Sequence, residues 1–228
     1  MHVIATTLVA FILFAWSVAV VSVELRTAPS REFALALEKN SRPMVSSRAE
    51  AALNDNKWCT REAVQSNVTI RLALLDAALR TNEVQEREAA LARAHETLRQ
   101  GLLCFPRDGN LWLRLAMVEN AQGRDATRGG EMLAISLANT PSEGWIIIPR
   151  IHFAARLGKA ATGADAVLET DVRNLLRFGE LPDVVSLYAE ADENLREKLL
   201  SGLQDVSFER GLTIDAAIKA RIEEGKKK

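Results

Sequence analysis

The first apolar run of the chain lies at its N-terminus. From Val3 to Val23 the sequence contains no charged residue, and most of these 21 positions carry aliphatic or aromatic side chains. A helix rises about 1.5 Å per residue, so a helix of this length extends about 30 Å, the thickness of the hydrocarbon core of a bilayer. We therefore predict a transmembrane anchor over residues 1–23.

A cleaved signal peptide is the alternative interpretation of this run, because Ser17-Val18-Ala19 matches a small-x-small cleavage site. Two features argue against it. No Lys or Arg precedes the run, and the run is longer than the apolar region of about 7–15 residues that signal peptides carry. No cysteine lies near its end, as a bacterial lipoprotein would require. We favour a retained signal-anchor.

Beyond the anchor, apolar positions recur every three or four residues, which is the period of an amphipathic helix. Segment 24–45 is predicted to be a juxtamembrane stalk with a first helix, broken at Arg42-Pro43. Segment 46–228 is predicted to be one helical domain, because no Pro/Ser-rich linker divides it. The pattern places helices over about 30–39, 46–54, 61–80, 84–104, 109–122, 126–139, 143–157, 164–177, 182–191, 193–204 and 208–223.

The composition supports an all-α fold. Aromatic residues make up 5% of the chain, while the helix formers Ala, Leu, Arg and Glu dominate. With 29 basic and 30 acidic side chains the net charge is -1, so the chain lacks the basic face that nucleic-acid binding requires. The cluster Lys226-Lys227-Lys228 is predicted to be a solvated terminus.

The two cysteines, Cys59 and Cys104, flank a predicted helical hairpin. Its helices cover about 61–80 and 84–104, and the turn at Thr81-Asn82-Glu83 lies midway between the cysteines. In an antiparallel hairpin both thiols would lie at the open end, about 30 Å from the turn. We therefore predict a disulfide there, which requires a Cα separation below about 7 Å. The alternative is that both are buried free thiols.

A repeat follows the hairpin. Pro106 and Pro141 are 35 residues apart, and Trp112 and Trp145 are 33 apart. The segment Trp112-x-x-Leu-Ala resembles the opening of a tetratricopeptide repeat, which has a period of about 34 residues. Upstream, the positions of Ala94, Leu98, Gly101 and Pro106 resemble the closing half of a preceding repeat unit. The resemblance covers about residues 85–160.

The chain also departs from the repeat pattern. Glu119, Gly129 and Leu133 stand where the repeat has Tyr, Ala and Phe, and Pro149 lies inside a predicted helix. A generic helical bundle with a chance tryptophan spacing is the alternative. The resemblance implies an α-solenoid of stacked helical hairpins, repeat-like over about 60–160, in which each pair needs a neighbour to cover its apolar face.

In tetratricopeptide proteins the first helix of each unit lines a groove that receives a partner segment. If Trp112 and Trp145 are packing residues at the same position of two successive repeat units, the resemblance implies a protein-binding groove in this chain. Its residues would be Asn110, Leu113, Met117, Asn120, Glu143, Ile146, Arg150 and Phe153. The alternative is that several of them belong to the core between helices.

Catalytic and metal-binding patterns are absent from the sequence. The three histidines, His2, His95 and His152, have no second His or Cys at ligand spacing, and we expect no metal. There is no Walker-type glycine loop and no Gly-x-Ser-x-Gly elbow. We therefore do not expect an enzyme, a cofactor or a small-molecule substrate.

The function predicted from these features is that of a membrane-anchored, non-catalytic scaffold or accessory protein of a bacterial envelope. Such a protein would bind a protein partner in the membrane or periplasm, as single-pass tetratricopeptide proteins of secretion, envelope biogenesis or polysaccharide export do. The alternatives are a structural subunit that packs through its transmembrane helix and an enzyme with an unrecognised site.

The compartment is predicted from two opposing signals. Arg26, Arg31 and Lys39 follow the apolar run, which favours a cytoplasmic C-terminal domain by the positive-inside rule. A disulfide favours an oxidising compartment. We give the disulfide more weight and predict a single-pass inner-membrane protein whose C-terminal domain is periplasmic.

Overall fold

A computed structural model of the chain describes residues 2–40, 46–53, 59–158 and 161–225. All its regular elements in these ranges are helical. The α-helices are α1 (His2–Asn40), α2 (Ser46–Ala52), α3 (Arg61–Leu79), α4 (Val84–Cys104), α5 (Gly109–Ala121), α6 (Ala126–Asn139), α7 (Gly144–Leu157), α8 (Ala164–Phe178), α9 (Leu181–Glu190), α10 (Glu193–Gly202) and α11 (Phe208–Gly225). A short 3-10 helix covers Leu203–Asp205.

The all-α fold class is confirmed, with a long apolar helix at the N-terminus followed by a helical region. Helices α2–α11 each correspond to a predicted helix, and their bounds differ from the predicted ones by two residues at most. The predicted break at Arg42-Pro43 and the tail Lys226-Lys227-Lys228 lie outside the described residues.

The chain divides into two compact units, Met1–Pro106 and Arg107–Lys228. We refer to them as unit 1, which contains α1–α4, and unit 2, which contains α5–α11. The predicted domain 46–228 therefore contributes to both units. The boundary falls at Pro106, directly after α4, where proline removes the backbone donor that would continue a helix.

Helix α1 differs from the prediction because it does not stop at the end of the apolar run. It continues from the predicted anchor through the predicted stalk to Asn40, with Pro29 inside it. A proline removes one hydrogen bond from a helix, and α1 continues through that site. The helix predicted over about 30–39 is thus the final part of α1.

Helix α1 is exposed and apolar from Val9 to Val21. Between Val9 and Lys39 it contains an 18-residue window with a mean hydropathy of 1.9, none of which is buried. It is the one helix, among the described residues, that is long and apolar enough to span a membrane. Burial starts further along α1, at Thr27, Ser30 and Ala34.

The core of unit 1 forms where α1, α2 and α3 meet. Ala34, Ala49 and Ile70, one from each helix, are buried together. The partly buried apolar side chains around them are Phe33, Leu37, Ala52, Leu53 and Leu74. The small residues Ala34 and Ala49 allow α1 and α2 to approach α3 closely, so that Ile70 is fully enclosed.

Glu50 on α2 adds a polar contact to this packing. Its two carboxylate oxygens accept hydrogen bonds from Arg71 Nη1 on α3 at 3.0 and 2.8 Å. Arg93 Nε on α4 lies 3.9 Å from Glu50 Oε1. One carboxylate on a seven-residue helix therefore faces arginines from both arms of the α3/α4 hairpin.

The hairpin prediction and the disulfide prediction agree with the structure. Helices α3 and α4 pack against each other, and Cys59 is bonded to Cys104 with a Cα–Cα distance of 5.2 Å. Beside the bond, the Arg61 guanidinium lies 5.5 Å from the centre of the Phe105 ring. This cation–π contact covers the open end of the hairpin.

Unit 2 is built from helices that pack in consecutive pairs. Helix α5 packs on α6, and α7 packs on α8. Helix α5 also contacts α7, and α6 contacts both α7 and α8, so the second pair stacks on the first. Helix α8 also contacts α10, and α9 packs on α11. Each pair covers its apolar face with the next, as expected for a repeat-like helical array.

Aspartates fix where three of these helices begin. The carboxylates of Asp108, Asp125 and Asp192 precede α5, α6 and α10 and accept hydrogen bonds from backbone N–H groups in the first turn. An Asp cap satisfies donors that have no partner within the helix, which stabilises the helix by about 1 kcal/mol. Thr60 caps α3 in the same way through Ala63 N.

Gly109, the first residue of α5, lies in a contact that admits no side chain. A Cβ atom there would stand 2.7 Å from the carbonyl oxygen of Ser136 and would also overlap the Thr140 hydroxyl. Gly144 occupies the same position in α7, but nothing lies within 4 Å of its would-be Cβ. The two glycines therefore form a matched pair, one enclosed and one open.

We predict that Gly109→Ala destabilises the protein by about 2 kcal/mol or more, because α5 must move away from the end of α6. Gly144→Ala serves as the control and should change the free energy of unfolding by less than about 1 kcal/mol, since alanine favours helix there. Urea unfolding of the full chain in detergent, followed by far-UV circular dichroism, measures both. Equal effects of the two substitutions would contradict the close packing of α5 on α6.

Candidate functional site

The predicted groove is only partly available to a partner. Leu113, Ile146, Arg150 and Phe153 are buried, with 2% of their surface exposed at most. We correct the prediction for these four residues, which belong to the interior of unit 2. The physical reason is that α5 and α7 contact each other as well as their own partners, so their facing sides are covered.

The other four predicted residues lie at or near the surface. Asn110 and Met117 are half-buried, while Asn120 and Glu143 are exposed. Asn110 accepts a hydrogen bond at 3.1 Å from Arg114 Nε, one turn along α5. Three of the four, Asn110, Asn120 and Glu143, are polar, and they are divided between α5 and the residue that precedes α7.

The two tryptophans that define the repeat spacing have different environments. Trp112 is half-buried on α5, whereas 61% of Trp145 is exposed in the first turn of α7. The expectation that both are packing residues is therefore wrong for Trp145. An exposed tryptophan is available for binding instead, and tryptophan is enriched among residues that dominate interface energies.

Arg150 occupies the centre of a buried polar cluster. It is fully buried, and so is its partner Asp171 on α8. Arg150 Nε donates to Asp171 Oδ2 at 2.6 Å, and Arg150 Nη2 donates to Oδ1 at 2.7 Å. This is the two-pronged geometry in which a guanidinium matches a carboxylate best.

The remaining donors of Arg150 reach the end of α6. Nη1 donates to the hydroxyl of Ser136 at 3.3 Å and to the carbonyl of Thr140 at 3.2 Å. The Ser136 hydroxyl in turn donates to the carbonyl of Gly109 at 2.7 Å. Through these bonds the cluster joins α5, α6, α7 and α8.

Burial and the neighbouring Arg150 act in opposite directions on the pKa of Asp171. Loss of water around the carboxyl raises its pKa, and the hydrogen bonds and positive charge of Arg150 oppose that rise. The net direction is upward, so the folded protein binds this proton more tightly than the unfolded chain does. Titration of Asp171 therefore does not weaken unit 2 as the pH falls, since its contribution to stability increases in that direction.

The sequence carried a signal for this pair that the groove prediction missed. Arg150 stands in the apolar stripe of α7, between Ile146 and Phe153, and Asp171 stands in the stripe of α8, between Leu168 and Leu175. Opposite charges at stripe positions of consecutive helices are expected to pair, because a lone buried charge is too costly.

A second feature that sequence reasoning missed is an apolar corner at the end of unit 2. Phe178, the last residue of α8, is 82% exposed, and Phe208, the first residue of α11, is 80% exposed. Arg210 Nε donates to the carbonyl of Leu176 at 3.1 Å, and Nη2 donates to that of Gly179. The start of α11 is thereby fixed against the end of α8.

An open groove adjoins this corner. It has a volume of about 460 Å³. Most of the residues that line it are apolar and come from the 3-10 helix, the connection after it and α11, namely Leu203, Val206, Phe208, Gly211 and Leu212. Its outer wall is exposed, since Leu212 is 54% and Phe208 80% accessible. Large exposed apolar side chains around a concave surface are characteristic of protein-binding sites.

A polar cleft of about 240 Å³ lies between α8 and α10. Its charges satisfy each other: Arg173 lies 3.5 Å from Asp205, and Lys198 lies 3.5 Å from Asp165 and 3.9 Å from Glu169. Within the described ranges, no group of three or more His, Cys, Asp or Glu side chains is arranged to hold a metal ion. His95 and His152 are half-buried on α4 and α7.

Comparison of the chain with protein-family models, with curated proteins and with solved structures finds no match. The resemblance to tetratricopeptide repeats therefore stays a prediction. The fold and its surface are the observations on which a function has to be based.

We predict that Arg150→Met lowers the free energy of unfolding by about 3–5 kcal/mol, because it leaves the Asp171 charge buried without a partner. The double variant Arg150→Met/Asp171→Leu should lose clearly less, since no charge is then buried. Lys219→Ala, which breaks an exposed pair with Asp215 at 2.6 Å, is the control and should cost less than about 1 kcal/mol. Urea unfolding of the full chain in detergent tests this. The prediction is wrong if the single variant unfolds like the control.

Proposed function

We propose that this chain is a membrane-anchored, non-catalytic scaffold or accessory protein with a tetratricopeptide-like helical domain. In this proposal α1 crosses the inner membrane of a bacterial cell once, and the rest of the chain is periplasmic. Unit 2 binds an apolar segment of a protein that belongs to an envelope assembly such as a secretion, envelope-biogenesis or polysaccharide-export machine.

The apolar corner of unit 2 is the observation that carries the binding part of the proposal. Phe178 and Phe208 are each at least 80% exposed, beside the groove of about 460 Å³. Fully exposed phenylalanines are unfavourable in water, and covering them in a complex releases that cost. Trp145 supplies a further exposed aromatic side chain on α7.

Two other observations support the membrane and compartment parts. The apolar window of α1 from Val9 onward is not buried by the described part of the chain, which suits a lipid environment. The Cys59–Cys104 bond suits an oxidising compartment, where disulfides persist.

We predict that a reporter enzyme that works only after export will be active when it is fused to the C-terminus of this protein. In cells, a membrane-impermeant maleimide should label Cys59 and Cys104 only after reduction. The variant Cys59→Ser/Cys104→Ser should lose about 4 kcal/mol of stability, because the bond closes a 45-residue loop in the unfolded chain. An inactive reporter, together with thiols that a membrane-permeant maleimide labels without reduction and the impermeant one does not, would show that the domain is cytoplasmic.

We predict that a photo-crosslinking amino acid at Phe208 or Phe178 will capture one discrete partner protein in cells. Lys219, which is exposed on the same helix as Phe208, provides the control position and should capture none. Phe208→Ser/Leu212→Ser should abolish capture from Phe178 while leaving the unfolding free energy within about 0.5 kcal/mol of the parent, because both side chains are exposed. Capture that is equal at all positions would contradict a specific surface.

The same experiment separates scaffold from structural subunit. A protein that starts at Leu25 and is exported through a cleavable signal peptide retains the buried side chains described for α1, which begin at Thr27. Capture from Phe208 in this shortened protein supports binding through unit 2. Loss of capture without the anchor favours a subunit that packs through its transmembrane helix.

A further inference from the structure

The transition from the apolar run to the core of unit 1 occupies fewer than two turns of α1. Val18, Val20 and Val21 are still exposed apolar residues of the anchor, whereas Thr27 and Ser30 are 7% and 1% exposed. The helix is continuous between them. The folded protein therefore starts directly where the apolar run ends.

Simple distances place this transition at the membrane surface. Four residues separate Val23 from Thr27, which corresponds to about 6 Å of helix. The headgroup layer on each side of a bilayer is about 5–8 Å thick, from the difference between the whole bilayer and its hydrocarbon core. Thr27 thus reaches headgroup depth when Val23 ends the span.

We propose that the folded part of unit 1, from Thr27 onward, sits directly on the bilayer surface, with one end of the α3/α4 hairpin in contact with lipid headgroups. The predicted stalk would hold the domain away from the membrane, whereas this arrangement leaves no gap for one. The proposal rests on the membrane anchorage proposed above, and its partner is the lipid surface itself.

The packing of α1 after Pro29 favours a firm connection between the apolar run and the core. The Thr27 hydroxyl donates to the carbonyl of Val23 at 3.0 Å, and the Ser30 hydroxyl donates to that of Thr27 at 2.9 Å. Both hydroxyls thus bond to α1 itself, on the two sides of Pro29. Ala34, one turn further, is fixed against Ile70 of α3. Movement of the anchor relative to unit 1 would disrupt this packing.

The charges at the transition indicate which lipids are suitable. Glu24, Arg26, Arg31 and Glu32 follow the apolar run, so two acidic and two basic side chains balance each other. Arg31 Nη1 lies 3.6 Å from Glu24 Oε2. Leu25, which is 71% exposed, adds an apolar side chain at this level. Because these charges balance, binding does not require anionic lipid, and zwitterionic headgroups suffice.

The experiment measures the depth of both ends of the hairpin. A fluorescent amino acid is introduced separately at Leu25, at Leu79 beside the turn, and at Leu103 beside the disulfide; all three positions are exposed. The full chain is placed in nanodiscs of zwitterionic lipid that carry a headgroup quencher. We expect quenching at Leu25 and at one hairpin end, and none at the other end, about 30 Å away.

The outcomes distinguish this inference from the proposed anchorage. Quenching at Leu25 with no quenching at either Leu79 or Leu103 would overturn the seating and leave the anchor intact. No quenching at any position, with the protein free of the nanodiscs, would overturn the anchorage itself. Replacing half of the lipid by an anionic one should leave the quenching pattern unchanged.

A helical insertion provides a second test. Seven residues added between Val23 and Glu24 extend α1 by about two turns, or about 10 Å. The residues after the insertion then keep their direction around the helix axis. We expect quenching at the membrane-proximal hairpin end to be lost, while a matched substitution of seven residues within the span leaves it in place. Quenching that survives the insertion would contradict the rigid connection.

Discussion

Arg150 imposes the strictest constraint in unit 2, because a guanidinium without access to water has to find all its partners inside the protein. Asp171 supplies two acceptors, and the end of α6 supplies the rest. These partners come from different helices, so none of them can shift without leaving the charge exposed to an apolar interior. Gly109 enters the same arrangement, since its carbonyl accepts the Ser136 hydroxyl and its missing side chain leaves room for Thr140. The stacking of the α7/α8 pair on α5/α6 is thus fixed by polar geometry as well as by apolar burial.

The helices were predictable because the information that specifies them is local. The apolar period of a helix lies within that helix, and α2–α11 begin and end close to where the predicted periods start and stop. The disulfide was predictable for a related reason: the turn at Thr81–Glu83 lies midway between Cys59 and Cys104, so hairpin geometry alone brings the thiols together. In both cases the prediction required no knowledge of how distant helices pack.

The candidate site was harder to predict from the sequence, because it depends on which helix faces remain uncovered after the helices have packed. Leu113 and Phe153 stand on apolar stripes that a sequence can reveal, but whether a stripe faces a groove or a neighbouring helix is decided by the contact of α5 with α7. Trp145 illustrates the converse, since the spacing of 33 residues suggests a packing role and the side chain is exposed at the start of α7. Phe178 and Phe208 lie at helix ends, where periodicity carries little information about direction. A spacing can therefore suggest a repeat while leaving the roles of its residues open.

The disulfide and the anchor belong to the same unit, and this links the two pieces of evidence on topology. The core of unit 1 contains α1 from Thr27 onward together with α3, whose first turn follows Cys59. In the proposed topology, the continuous helix α1 places the Cys59–Cys104 bond on the side of the membrane at which the apolar run ends. A disulfide in a separate, loosely tethered domain would carry less weight. Here the chemistry of the hairpin and the direction of the anchor are properties of one folded unit, so evidence about the compartment of either applies to both.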